Sequence, residues 1–77
     1  MTLSQAVKER ILKLASERKL TLHKLSLESG ITYSTLSSFM NGKCKNPNLV
    51  TILHLCEGLQ IELSEFFADE IFKEVEE

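Results

Sequence analysis

The sequence predicts an all-α domain, a compact arrangement of five short helices. Three observations carry that expectation. Apolar residues recur at three- and four-residue spacing almost throughout, and no stretch alternates as a half-buried strand would. Thr, Asn or Gly stands at most of the points where such a stripe begins or stops. The chain is 77 residues long, enough for one small core and too short for two.

The first helix is expected to start after Thr2–Ser4 and to run to about Lys19. Val7, Ile11, Leu14 and Ala15 form its buried stripe, with Leu12 off that stripe. Thr21 is a good N-cap for a second, two-turn helix that ends at Gly30, where a left-handed residue is cheap. Leu25 and Ser26 face inward; Leu22 and Leu27 sit on other faces. Thr32 caps a third helix from Tyr33 to Asn41, which buries Leu36, Phe39 and part of Met40. Asn41–Gly42 ends it, and the loop Lys43-Cys44-Lys45-Asn46-Pro47 follows. Asn48 caps a fourth helix to about Leu59, with Leu49, Ile52, Leu53, Cys56 and Leu59 on its inner stripe. A fifth runs from Glu62 through Phe67, anchored by Leu63, Phe66 and Phe67. Residues 1–67 then form one domain, and residues 68–77 an acidic tail. In that tail Phe67, Ile71 and Val75 recur every four residues beside Ala68 and Phe72. It can form an amphipathic helix if something covers its apolar side.

Composition removes several classes of function. The chain is 43% apolar and 26% charged, the balance of an ordinary folded domain. Its longest apolar run is the three residues Phe66–Ala68, which excludes a membrane span by this route. The first fifteen residues carry charges where a secretory leader needs an apolar stretch. Two cysteines do not make a disulfide scaffold, so a reducing cytoplasm is expected. Net charge is −2, which at first argues against nucleic acid. The charge is segregated, however. Residues 1–48 hold eight basic and three acidic residues, a surplus of +5, and residues 49–77 hold one basic and eight acidic, −7. One anion-facing surface and one solvated or partner-facing end would produce that division.

The second and third helices, joined by Gly30-Ile31, have the layout of a helix-turn-helix. The outer face of the third carries Tyr33, Ser37 and Asn41 on one line and Ser34 and Ser38 on the next. It is uncharged: hydroxyls and one amide. A merely solvated face usually mixes Glu, Lys and Arg. Short neutral polar groups suit close approach to base edges. From these residues alone, base reading and an idle Ser-rich face stand about level.

Leu20-Thr21, Leu25-Ser26, Ser29-Gly30-Ile31-Thr32, Ser34-Thr35-Leu36-Ser37 and Asn41-Gly42-Lys43 form an ordered series. It continues through Pro47-Asn48-Leu49, Ile52-Leu53, Leu55-Cys56, Leu59 with Ile61, and Leu63, Glu65 and Phe66-Phe67. The series resembles the phage repressor and Cro class of helix-turn-helix proteins, the XRE family, from about Val7 to Phe67. That resemblance implies a lambda-repressor-like five-helix fold. It also implies a sequence-specific regulator of transcription, a repressor, that places the third helix in the major groove of double-stranded DNA as a homodimer. Tyr33, Ser34 and Ser38 become candidates for base contacts, with Ser37 nearby. Thr21 with the backbone amides beside it, Asn41, Lys43 and Lys45 become candidates for phosphate contacts, supported by Thr35 and Arg10. The helix has no arginine, so bidentate Arg–guanine pairing is excluded and DNA shape is expected to supply part of the specificity. The chain departs from the family pattern at Leu22, where a polar residue is usual. It departs again at Lys19 and Gln60, where glycine is usual, and at Lys24 and Glu62, which weaken two caps.

Other chemistry finds little support. His54 and Cys56 lie two apart on a helix and point in opposed directions, and no Cys-x-x-Cys exists, so no metal is expected. Cys56 reads as core and Cys44 as a loop thiol. His23 reads as a surface residue near the second helix. No nucleophile has a base and an orienting partner, and no glycine-rich phosphate loop is present, so neither catalysis nor a cofactor is expected. Phe67, Ile71, Phe72 and Val75 are costly to expose; they pack within the chain or form a symmetric dimer contact, and the dimer is favoured. The competing class is a protein-interaction module or antitoxin-like partner on the same fold, favoured by Leu12, Leu22 and Leu27 off the core stripes. A protein regulator fits either reading.

Overall fold

The computed structural model describes residues 1–43 and 46–77. Five α-helices follow in order: α1 Leu3–Glu17, α2 Leu22–Ser29, α3 Tyr33–Met40, α4 Leu49–Leu59 and α5 Leu63–Phe66. A 3₁₀ helix, Glu70–Glu74, comes last, and the described residues contain no strand. The fold is all-α, as expected. No helix is long and apolar enough to cross a membrane among the described residues.

The starts of the first four helices follow from their caps. Thr2 and Gln5 close a reciprocal capping box, each side chain taking the other's backbone N–H at 3.2 and 2.9 Å. Thr21, Thr32 and Asn48 accept from the N–H groups of Lys24, Thr35 and Thr51 at 3.1, 3.1 and 2.8 Å. Glu62, ahead of α5, makes no such bond. The ends share one device. A left-handed residue lets the next N–H reach back five residues: Leu20 to Ala15, Ile31 to Ser26, Lys43 to Ser38 and Ile61 to Cys56, at 2.8–3.1 Å. Gly30 and Gly42 adopt that conformation without penalty, at φ 69° and 81°; Lys19 and Gln60 adopt it with a Cβ, at 57° and 61°.

Every helix contributes to one core: Ile11 from α1, Leu25 from α2, Leu36 from α3, Leu55 and Leu59 from α4, and Phe66 from α5 are fully buried. The expected stripe of α1 is buried, and Leu12 is exposed. α2 packs most extensively on α4. They come close at Gly58, where an added Cβ would clash with Ser29 Oγ and lie 2.9 Å from its backbone nitrogen.

Two expectations need correction. Leu49 and Leu53 do not face inward: they are 76% and 39% exposed, and Leu55 is buried instead. The side of α4 set against α2 carries Ile52, Leu55, Cys56 and Leu59; Leu49 lies in the first turn, ahead of the core, and Leu53 on its outer flank. The tail, in turn, is not an amphipathic α-helix. Continuing α5 would require the N–H groups of Asp69 and Glu70 to reach the carbonyls of Glu65 and Phe66. The Arg10 guanidinium takes both, Nη2 to Glu65 at 2.8 Å and Nε to Phe66 at 2.7 Å. Glu65 O also accepts the Ala68 N–H at 3.3 Å, α5 stops after four residues, and the chain turns back along α1 as the 3₁₀ helix, with Arg10 in place of the missing helical donors. Phe67 stays partly exposed; Ile71, Phe72 and Val75 are half-buried within the chain.

Candidate nucleic-acid interface

The helix-turn-helix forms from α2, Gly30-Ile31 and α3, with Ile31 half-buried against the core between the two helices. Leu25 and Leu36 anchor their helices from inside, which fixes what remains outside. On α3, Tyr33, Ser34 and Thr35 are exposed, Ser37 and Ser38 half-buried, and Asn41 exposed at the end. The structure thus brings the four expected base-contact residues onto one accessible face. Their polar groups differ in freedom. Thr35 accepts from the Thr32 hydroxyl at 2.8 Å, and Asn41 Nδ2 donates to Ser37 Oγ at 3.1 Å. Ser37 thereby keeps a proton to give, and Asn41 keeps its carbonyl oxygen.

The phosphate candidates divide. Thr21 is exposed at the start of α2, where the cap satisfies Lys24 N–H and the amides of Leu22 and His23 have no helical partner. Lys43 is exposed directly after Gly42. Arg10 is placed elsewhere. It is 8% exposed, bound to the carbonyls of Glu65 and Phe66 and paired with Asp69 at 3.1 Å, on the seam between α1 and the tail. Lys45, like Cys44, lies outside the described residues.

The seam takes up another cation as well. Lys13 pairs with Asp69 at 2.9 Å; away from the seam, Arg18 Nε donates to Leu59 O at the end of α4 at 2.9 Å. Asp69 also accepts the Ile71 N–H; that bond first, then the Lys13 ammonium, holds its carboxyl below the usual aspartate range. Lys24 pairs loosely with Glu28 at 3.7 Å along α2. Among the described residues Lys8, Lys19 and Lys43 make no ion pair, and Arg18 makes none either but is held by the carbonyls of Leu59 and Leu14.

Two residues gain meaning that sequence reading gave them no share of. Lys8, on α1, holds its ammonium 5.8 Å from the centre of the Phe39 ring and 3.8 Å from where a Cβ on Gly42 would stand. It therefore flanks the segment that leaves α3, beside Lys43. Its spacing next to Val7 was visible in sequence, but its neighbour in the fold was not. His23, on the first turn of α2, sets its ring 5.2 Å from that of Tyr33, at an interplanar angle of 54°. Elsewhere, burial pushes the Cys56 thiol pKa up, which keeps it protonated. Among the described residues no three His, Cys, Asp or Glu side chains come together as metal ligands would.

Neither the curated proteins nor the solved structures contain a match to this chain. Residues 10–70 match the model of the Cro/C1-type HTH DNA-binding domain, a stretch that takes in the second half of α1 and all of α2 to α5; the chain belongs to that family.

Proposed function

We propose that the protein is a sequence-specific, double-stranded DNA-binding transcriptional regulator, acting as a repressor from the cytoplasm by binding and not by catalysis. One observation carries this reading. The exposed face of α3 is uncharged, bracketed by the capped start of α2 on one side and by Lys43 and Lys8 on the other. Neutral hydroxyls enter the major groove, while cations and free amides flank them at the height of the phosphates. Tyr33, Ser34, Ser37 and Ser38 read base edges; Thr21, Thr35, Asn41, Lys43 and Lys45 hold the backbone, and Lys8 joins them. Arg10 holds the tail instead. Repression requires nothing beyond occupancy of the operator.

A homodimer completes the reading. Folding leaves Leu49, Val50, Leu53, Leu63 and Phe67 exposed on α4, on α5 and directly after it, an apolar surplus that a second copy would cover. Of the tail residues named for this contact, Phe67 remains available, while Ile71, Phe72 and Val75 already pack in part within the chain. Two-fold symmetry would set two copies of α3 about 34 Å apart, one turn of DNA. Selection from a random DNA pool tests the whole reading. The expected result is an inverted repeat with half-sites about one turn apart. Tyr33→Ala should then weaken binding to the selected site by about 1–3 kcal/mol and leave non-specific binding nearly intact.

The second reading, an antitoxin-like or regulator-binding partner, rests on Leu12 and Leu27, 49% and 65% exposed. Leu22 no longer supports it, being half-buried against the core. A folded protein that enriches no motif but co-purifies with another chain would favour this alternative.

A further inference from the structure

His23 is the neighbour of Tyr33 across the motif. The two rings belong to different helices, yet their centroids are 5.2 Å apart with a tilt of 54°, inside the range in which aromatic pairs attract. Tyr33 is 46% exposed on the first turn of α3, so without that neighbour its ring would sample several rotamers over open solvent. A side chain that must be ordered on binding costs affinity, and one already ordered does not. The backbone of His23 is fixed within α2. The Ser26 hydroxyl, on the buried side of α2, donates to the His23 carbonyl at 2.6 Å, and Thr21 caps the turn on which His23 stands.

We propose that His23 is a positioning residue for DNA recognition: its ring braces Tyr33 from α2, so base selectivity at the Tyr33 position depends on an aromatic ring at residue 23. The inference rests on the DNA-binding reading above and deepens it. It requires shape at position 23 and no charge, which separates it from a phosphate contact made by the imidazole itself.

The test is a double-mutant cycle on a site selected from a random pool, with thermal unfolding of each variant as the control for folding. His23→Ala should lose about 3- to 10-fold in affinity. It should also flatten discrimination at the base pair that Tyr33→Ala makes indifferent, with its unfolding temperature unchanged. His23→Phe should restore both, and His23→Ala should add nothing in a Tyr33→Ala background. A loss that persists in the Tyr33→Ala background overturns the proposal, because His23 would then act on DNA directly. So does a His23→Ala protein that binds and discriminates as the parent does. If Tyr33→Ala itself binds as the parent does, the base-reading role of α3 fails, and this inference with it.

Discussion

The outer face of α3 and the seam between α1 and the tail are both polar surfaces built from the same small chain, and they use polarity in opposite ways. On the seam almost every group is engaged. Arg10 holds two carbonyls and Asp69, Lys13 shares that carboxylate, and Asp69 also takes the Ile71 N–H. On α3, Tyr33 and Ser34 stand exposed, and the hydroxyls that are bonded keep further valence for a partner. The contrast shows which charges a small domain can offer. A cation that satisfies buried carbonyls is part of the fold, and only one left over, such as Lys43, is available to DNA.

Arg10→Ala is the most damaging way to test that division. It removes the Arg10 donors from the carbonyls of Glu65 and Phe66 and one of the two cations paired with Asp69, in a place where the arginine is 8% exposed. The expected loss is about 2–4 kcal/mol of stability in a urea titration. Arg10→Lys should recover little of it, because one ammonium cannot serve a fork of three acceptors. A loss within about 0.5 kcal/mol, as for an ordinary surface residue, would break the comparison.

Lys43→Ala is the complementary case. Stability should hardly change, whereas affinity should fall across all DNA sequences, with the slope of log affinity against log salt reduced by about one. Gel-shift titrations at several salt concentrations measure it. An unchanged slope would remove Lys43 from the interface.

Asp69→Asn probes the seam through pH. Its carboxyl is held below the usual aspartate range, first by the Ile71 N–H and then by Lys13. A depressed carboxylate stabilises the fold above its unfolded pKa, and that contribution disappears as pH falls through the lowered value. The parent should therefore exceed Asp69→Asn in denaturation midpoint near pH 7, and the gap should narrow as acidification passes below the usual aspartate range. A gap that is constant with pH would mean that the carboxylate charge is not what the seam uses.

The helices themselves were legible because their signals are local. Thr2, Thr21, Thr32 and Asn48 cap the residues that follow them, and Gly30 turns where a glycine was expected to turn. The face of α3 was legible for the same reason, since side-chain order along one helix follows from its period. What failed was set by contacts distant in sequence. Nothing near Phe67 shows that Arg10, 56 residues upstream of Phe66, will take the carbonyls on which a longer helix would depend. Leu49 and Leu53 fit an inner stripe by spacing, but where α2 lies against α4 decides which stripe is inner. The charge count failed likewise: +5 in the first half says nothing of how many cations face the protein itself.

The smallest effect concerns strain that both halves share. Lys19 ends α1 on the basic side and Gln60 ends α4 on the acidic side, each in the left-handed conformation and each followed by the same reach-back bond that Ile31 and Lys43 make after Gly30 and Gly42. A Cβ in that conformation costs about 1 kcal/mol or more, and glycine returns part of it as extra freedom in the unfolded chain. Lys19→Gly and Gln60→Gly should therefore each stabilise the protein by about 0.5 kcal/mol. Because Gln60 carries no charge, it serves as the reference for Lys19. Equal gains in thermal unfolding assign the effect to backbone strain alone. A smaller gain at Lys19 would show that its charge, unpaired among the described residues, also stabilises the fold, and would move it from the cations left for DNA to those the fold retains.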